Sequence, residues 1–183
     1  KINFLLDLDQ TLISAEKTKK YNFKKNKEKA KKFKFYDMDG YYIVFERPYL
    51  QEFLDYLFSN FNVSVWTAAS KDYALFIIDK ILLQNKSNRK LDWVFFSYHC
   101  DLSRKIKSGS KNLSVLWEKY KIENYNKDNT VILDDYDEVY NTQKNNCIIA
   151  KQFEFEDDNS ESDSFLKDLK NLLPQMKCKN PAK

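Results

Sequence analysis

Residues 2–11 read Ile2-Asn3-Phe4-Leu5-Leu6-Asp7-Leu8-Asp9-Gln10-Thr11. A short apolar run passes straight into two carboxylates one residue apart. That pattern is a buried β-strand whose C-terminal end faces a polar site. The pattern recurs further along the chain. Residues 130–133 run into Asp134 and Asp135, and residues 62–66 alternate toward Thr67. Helical patterns separate these strands. Leu50, Phe53, Leu54, Leu57 and Phe58 share one face after Arg47-Pro48. Ser70 is placed to cap a helix reaching about Leu83. Short strands are expected at 93–96 and 147–150, and a helical pattern runs through Leu113, Leu116 and Tyr120. A closing amphipathic helix is expected over 164–173, stopped by Pro174. The alternation predicts an α/β fold on a Rossmann-like parallel sheet. Ligands of such sheets bind beyond the carboxyl ends of the strands.

The chain has 183 residues, with 43% hydrophobic and 16% aromatic residues. This is enough for one well-cored domain, expected over 1–176 with a short tail over 177–183. The mean hydropathy is −0.68, and no stretch approaches the roughly 18 uninterrupted apolar residues of a membrane span. Only two glycines occur, Gly40 and Gly109. That excludes both a G-x-x-x-x-G-K-[ST] loop and a G-x-G-x-x-G turn. The three cysteines, Cys100, Cys147 and Cys178, are widely spaced without a C-x-x-C pair. Reduced thiols and an intracellular, nuclear or cytoplasmic setting are the expectation. The sole histidine, His99, leaves little room for a Ser-His-Asp or Cys-His site and is expected to be structural or a surface residue. No signal-peptide pattern opens the chain as it starts here, at Lys1.

Two acid pairs, Asp7/Asp9 and Asp134/Asp135, and a hydroxyl, Thr67, thus end three expected strands. Four carboxylates at one sheet edge repel one another unless a cation sits among them. An all-oxygen site suits Mg²⁺, which takes one or two carboxylates plus water and substrate phosphate. Asp7 and Asp9 project to the same side of an extended chain, so one can attack while the other handles a proton.

These residues resemble a known family. Asp7-Leu8-Asp9-Gln10-Thr11 is similar to the DxDxT signature of haloacid-dehalogenase-type (HAD) phosphatases. Arg47-Pro48-Tyr49-Leu50 with Phe53-Leu54 resembles the RPxLxxFL segment of the RNA polymerase II CTD phosphatase-like (FCP/SCP, NIF-type) branch. Val65-Trp66-Thr67-Ala68-Ala69, with Tyr73-Ala74 after it, resembles that branch's WTAS/WTAG motif. Lys111-Asn112-Leu113-Ser114 is similar to its KDLS motif, and Leu133-Asp134-Asp135 to its last acidic motif. The five motifs stand in order at compatible spacing, and the resemblance runs from Ile2 to about Leu173. The resemblance implies hydrolysis of phosphate monoesters through an aspartyl-phosphate with Mg²⁺. It implies Asp7 as nucleophile and Asp9 as acid and base, with the Asp9 backbone carbonyl touching the metal. It implies Asp134 and Asp135 as holders of Mg²⁺ or its waters. Thr67 and Lys111 would bind the phosphoryl group, with Thr11 and Ala68 also on the substrate side. The implied substrate is a phosphorylated protein or peptide; rivals are a phosphatase of nucleic-acid ends or small phosphomonoesters, and a silent phospho-ligand-binding scaffold.

Instead of a large cap, two small inserts are expected. One spans about 16–46 and ends in a hairpin turning at Asp39-Gly40. The other spans about 93–111 and reads as a polar, basic loop after its strand. Phe35, Tyr41, Ile43 and Phe45, with Phe95, Phe96 and Tyr98, are expected to wall the cleft. Residues 17–34 hold ten of the chain's 28 lysines against one acid, Glu28. They read as a solvated loop; a funnel for phosphorylated substrates or a weak nucleic-acid contact are the functional readings. The acidic stretch 154–163 is expected to be loop, and is a candidate counterweight to those lysines.

Overall fold

The computed structural model describes residues 1–179. Its centre is β1 (Asn3–Leu6), buried along its whole length. Next come β2 (Ile13–Lys17), α1 (Phe23–Ala30), β3 (Phe35–Met38) and β4 (Tyr42–Glu46). Then follow α2 (Leu50–Asn60), β5 (Asn62–Trp66), α3 (Lys71–Ile77), β6 (Val94–Phe95) and α4 (Ser97–Ile106). The chain closes with β7 (Thr130–Asp134), α5 (Asp137–Thr142), β8 (Cys147–Ile149) and α6 (Phe165–Lys179). Five strands form a parallel sheet in the order β6-β5-β1-β7-β8. Leu6 pairs with Val65 on one side and Leu133 on the other. The three central strands therefore end in step, and their next residues share one edge.

Both faces of this sheet are covered, as parallel sheets require. Successive side chains point to opposite faces. Phe4, Leu6, Val63, Val65 and Leu133 pack with Leu50, Phe53, Leu54 and Leu57 of α2 and with Leu166 and Leu173 of α6. Leu5, Trp66 and Ile132 pack in a second core with Leu113, Leu116 and Val139. Ser70 caps α3, its hydroxyl accepting from the Tyr73 N–H at 3.4 Å, and the helix continues as a wider π-type turn over Ile78–Leu83. Arg89 is buried beneath it, giving hydrogen bonds to the Leu82 and Gln51 backbone carbonyls and to Asp55.

The first insert is a three-stranded antiparallel sheet, β2-β4-β3. Its hairpin connects the paired Met38 and Tyr42 through residues 39–41; Asp39 and Gly40 both take positive φ (49° and 79°), and the Tyr41 N–H donates to the Met38 carbonyl at 2.8 Å, closing the tight turn. The lysine-rich stretch is not a loop. It holds α1, capped by Asn22, whose side chain accepts from the Lys25 N–H at 2.9 Å. A minor apolar face explains the helix. Ala30, with Tyr21 and Phe33 beside it, packs on Ile43, Phe45 and Phe155, and the Phe45 and Phe155 rings stack at 3.8 Å. The acidic stretch meets it there: Lys29 Nζ donates to the Asp157 carbonyl at 2.7 Å.

Two other expectations are corrected. Residues 97–106 form α4 rather than a loop, because Cys100 and Ser103 supply a buried face and His99 Nδ1 accepts from the Phe96 N–H at 3.0 Å. The last helix runs through Pro174 to Lys179. Pro174 removes one N–H donor, but it is exposed while Leu166, Leu169 and Leu173 anchor the buried face. Of the tail expected over 177–183, residues 177–179 thus continue this helix; residues 180–183 lie outside the described residues.

Candidate active site

Asp7, Thr67 and Asp134 lie at the carboxyl ends of β1, β5 and β7. The Asp7 N–H donates to the Leu133 carbonyl at 3.0 Å, locking the two acids side by side. Lys111 arrives from the segment after α4. Its Nζ donates to Asp7 Oδ1 at 2.9 Å and Asp134 Oδ2 at 2.6 Å. Lys111 is 4% exposed and Asp134 1%, so solvent screens this triad weakly. Burial alone would lower the ammonium's pKa, but Asp7 and Asp134 outweigh it and hold Lys111 charged, above the ordinary lysine range.

The loop carrying Lys111 is built to aim it. Gly109 sits at φ 87°, and a Cβ there would meet Thr142 Oγ1 at 2.5 Å. The Ser103 hydroxyl donates to the Gly109 carbonyl at 2.6 Å and accepts from the Asn112 N–H at 3.0 Å. Gln143 Nε2 donates to the Lys111 carbonyl at 2.7 Å, and its Oε1 accepts from the Leu113 N–H at 2.9 Å.

Asp9 lies on the turn after β1, where Gln10 takes φ 66°. Its Oδ1 accepts a hydrogen bond from the Tyr73 hydroxyl. Burial first, and the charge of Asp7 second, push Asp9 up to about 6 against the opposing pull of Tyr73 and Lys111. Asp134 and Asp135 are likewise raised well above the usual carboxylate range, chiefly by burial and then by Asp7. Four carboxylates around one ammonium leave an excess of negative charge. Two like charges about 4 Å apart repel by roughly 4 kcal/mol at an effective dielectric of about 20. The oxygens of Asp7, Asp134 and Asp135 lie within 4.8 Å of one another, so one cation can reach all three. The all-oxygen donor set fits Mg²⁺.

The Thr67 hydroxyl accepts from the Ala69 N–H at 3.0 Å, which leaves its own proton for an anion. Asp7, Asp9, Thr67, Ala68, Lys111, Asp134 and Asp135 line one cleft of about 550 Å³. Thr11, expected on the substrate side, is placed behind the carboxylates instead. It is fully buried; its hydroxyl donates to Asp7 Oδ2 at 2.7 Å and lies 3.1 Å from Asp135 Oδ1.

Residues 3–182 match the sequence model of the family described as NLI interacting factor-like phosphatase. The chain belongs to that family. It is 45% identical over 175 residues to a CTD phosphatase-like protein of Invertebrate iridescent virus 6, covering 93% of this chain and 96% of the relative. The namesake in Invertebrate iridescent virus 3 is 42% identical over 179 residues, covering 94% and 95%. The solved structure of Fcp1, an essential RNA polymerase II CTD phosphatase, superposes with a TM-score of 0.65 at 16% identity. It covers 97% of this chain, which spans 62% of the Fcp1 chain. At that identity the likeness is one of fold, the HAD-type α/β fold.

Within this NLI interacting factor-like phosphatase the expected aromatic walls are not where the sequence put them. Ile43, Phe45 and Phe95 are buried in apolar clusters, while Phe35, Tyr41 and Tyr98 point to solvent. None of the seven lines the cleft. Its rim is polar instead: Arg104, Tyr136, Asp137 and Gln152, all exposed. Sequence reasoning missed these four. It also missed Arg47 as a support, although the motif contained it. Arg47 Nη1 donates to the Thr11 carbonyl at 2.9 Å, and its Nε and Nη2 grip Asp163 at 2.8 and 3.0 Å. The distance of 116 residues between Arg47 and Asp163 hides that pair from any local pattern.

Proposed function

We propose that this chain is a Mg²⁺-dependent phosphoprotein serine/threonine phosphatase acting through an aspartyl-phosphate on Asp7. The observation that carries the reading is Lys111, buried and shared between Asp7 and Asp134. A carboxylate attacking a phosphate dianion meets like charge, so fixed positive charge beside the nucleophile is the main requirement. Asp7 bonds to phosphorus as the bond to the substrate oxygen breaks, and Asp9 gives its proton to the departing alkoxide. Asp9, now a carboxylate, takes a proton from water. That water attacks phosphorus, the bond to Asp7 breaks, and phosphate and the Asp7 carboxylate are regenerated. A carboxyl pushed up to about 6 is suited to both duties near neutral pH. Thr67 donates to a phosphoryl oxygen, beside Ala68 on the cleft wall, and Lys111 neutralises phosphoryl charge.

Asp7, Asp134 and Asp135 would hold Mg²⁺, with the Asp9 carbonyl as a further ligand. When bound, the ion offsets the charge that accumulates on the transferring group. The protein-substrate reading is supported by the exposed rim and by the family. The working unit is the one α/β domain, closed by a last helix that runs to Lys179, with residues 93–111 bringing Arg104, Ser110 and Lys111 to the cleft. Among the described residues no helix is long and apolar enough to cross a membrane. Asp7→Asn removes the nucleophile, so hydrolysis of p-nitrophenyl phosphate in Mg²⁺ should vanish. Retained turnover would sink the assignment. Comparing kcat/KM on phosphoserine peptides and 3′-phosphorylated oligonucleotides tests the substrate class.

A further inference from the structure

We infer that Tyr73 is a positioning residue for Asp9, and that it decides which Asp9 oxygen carries the transferable proton. The inference rests on the phosphatase reading and adds a residue to it. Tyr73 sits in the first turn of α3, half-buried, and its hydroxyl donates to Asp9 Oδ1. Among the described residues this is the only side-chain hydrogen bond to Asp9. A phenol keeps its proton at neutral pH, so it remains a donor whichever form Asp9 takes. With Asp9 ionised, the bond fixes the carboxylate plane. With Asp9 protonated, Oδ1 still accepts from Tyr73, and the acid proton resides on Oδ2. Tyr73 thereby leaves Oδ2 as the oxygen that gives and takes a proton in the cleft.

The ring itself is held. Tyr42 on β4 packs edge-on against it, with centroids 5.5 Å apart and planes at 80°. Ser70 caps the same helix turn by accepting from the Tyr73 N–H. Asp9 stands past the end of β1 on a turn with positive φ at Gln10; its backbone bridges to Ile13 at the start of β2, which leaves the carboxylate itself to be braced by a side chain. A hydroxyl from α3 supplies that brace. The contact also links the first insert to the acid through two rings, Tyr42 and then Tyr73.

The test is Tyr73→Phe, which keeps the ring and deletes one oxygen. It is assayed in Mg²⁺ on two substrates whose leaving groups differ in their need for a proton. The quantity compared is kcat/KM, which reports steps through phosphoryl transfer to Asp7. A well-placed general acid contributes typically about 10²–10⁴-fold. Mis-aiming it should cost about 10- to 100-fold on a phosphoserine peptide, whose alkoxide must be protonated. On p-nitrophenyl phosphate, whose phenolate leaves unaided, the fall should stay within about threefold. A merely structural role would lower both substrates equally. Equal falls, or none on either substrate, would overturn the inference. Tyr42→Leu, which retains the phenol but removes its ring support, should shift the ratio in the same direction by less; a larger shift than in Tyr73→Phe would also overturn it. If the unmodified chain hydrolyses neither substrate, or Asp7→Asn hydrolyses both, the phosphatase reading falls first and this inference with it.

Discussion

Lys111 is 4% exposed and divides its ammonium between two carboxylates, whereas Lys24, Lys25 and Lys27 on α1 stand in solvent. Neither a hydrogen bond nor an ion pair reaches the side chains of those three among the described residues. The residue type is the same in both places, and so is the formal charge. What differs is dielectric and aim. A charge inside the fold acts at short range with little screening, while one on the surface is damped over about 8 Å at physiological salt. In the proposed reading, placement is what turns one lysine of 28 into chemistry, and composition alone cannot say which.

The sharpest way to break that comparison is Lys111→Met, which keeps most of the stem and removes the charge. Asp7 and Asp134 would then face each other without a counter-charge. Removing one partner of a buried ion pair typically costs about 3–5 kcal/mol. The loss here should lie at the low end, because Asp134 can take up a proton. Phosphatase activity should fall by about 10³-fold or more, the scale set by losing a preorganised electrostatic group. Thermal melts and p-nitrophenyl phosphate kinetics check the two halves. A mutant retaining a tenth of wild-type kcat would make Lys111 no more than a structural tie.

Arg47→Lys comes next. Arg47 spans the Thr11 carbonyl and both Asp163 oxygens and lies over the Phe165 ring at 4.6 Å. Lysine cannot reproduce a fork or a stack. A loss of about 2–3 kcal/mol is expected, or a Tm drop of roughly 5–10 °C for a chain of this size. Activity should fall less than in Lys111→Met, since Thr11 loosens but Asp7 keeps its lysine. An unchanged Tm would show that Arg47 does not brace the turn.

These two residues also show what the sequence could and could not reveal. The strand-end acids were legible because a buried parallel strand must be apolar until it leaves the sheet, so Asp7, Thr67 and Asp134 announce themselves. The large helix face of α2 was legible for the same reason of burial. Among the described side chains the apolar face of α1 is Ala30 with Phe33 and Tyr21 beside it, too small to rise above ten lysines. Helix α4 was obscured similarly, since its buried side is a cysteine and a serine. The hairpin turn was read correctly, but not the direction of its side chains. The Phe45 ring of β4 closes onto Phe155, a residue more than a hundred positions away, and sequence periodicity carries no such information.

Ser103→Ala tests the support of the buried lysine rather than the lysine itself. The hydroxyl joins α4 to the loop on both sides of Lys111, through the Gly109 carbonyl and the Asn112 N–H. Leaving two backbone groups without that partner should cost about 1–3 kcal/mol. The Lys111 ammonium, still drawn by two acids, should keep its place on average, so kcat should drop only a few-fold. A loss as large as that of Lys111→Met would move the whole effect of the lysine onto its loop.

The smallest effect belongs to the exposed side. A Lys24→Gln/Lys25→Gln/Lys27→Gln triple variant removes three positive charges from α1 and touches no packed atom. Surface changes of this kind usually stay within about 0.5 kcal/mol each, and loss of like-charge crowding could even raise the Tm slightly. On p-nitrophenyl phosphate kcat/KM should not change, because none of the three lysines lines the cleft. A multiply phosphorylated peptide is the informative substrate. If the α1 lysines steer it, the variant should lower kcat/KM at low salt, and the gap should close as salt rises. A gap that persists at high salt would mean a direct contact near the cleft, and the division between one working lysine and a screened surface would no longer hold.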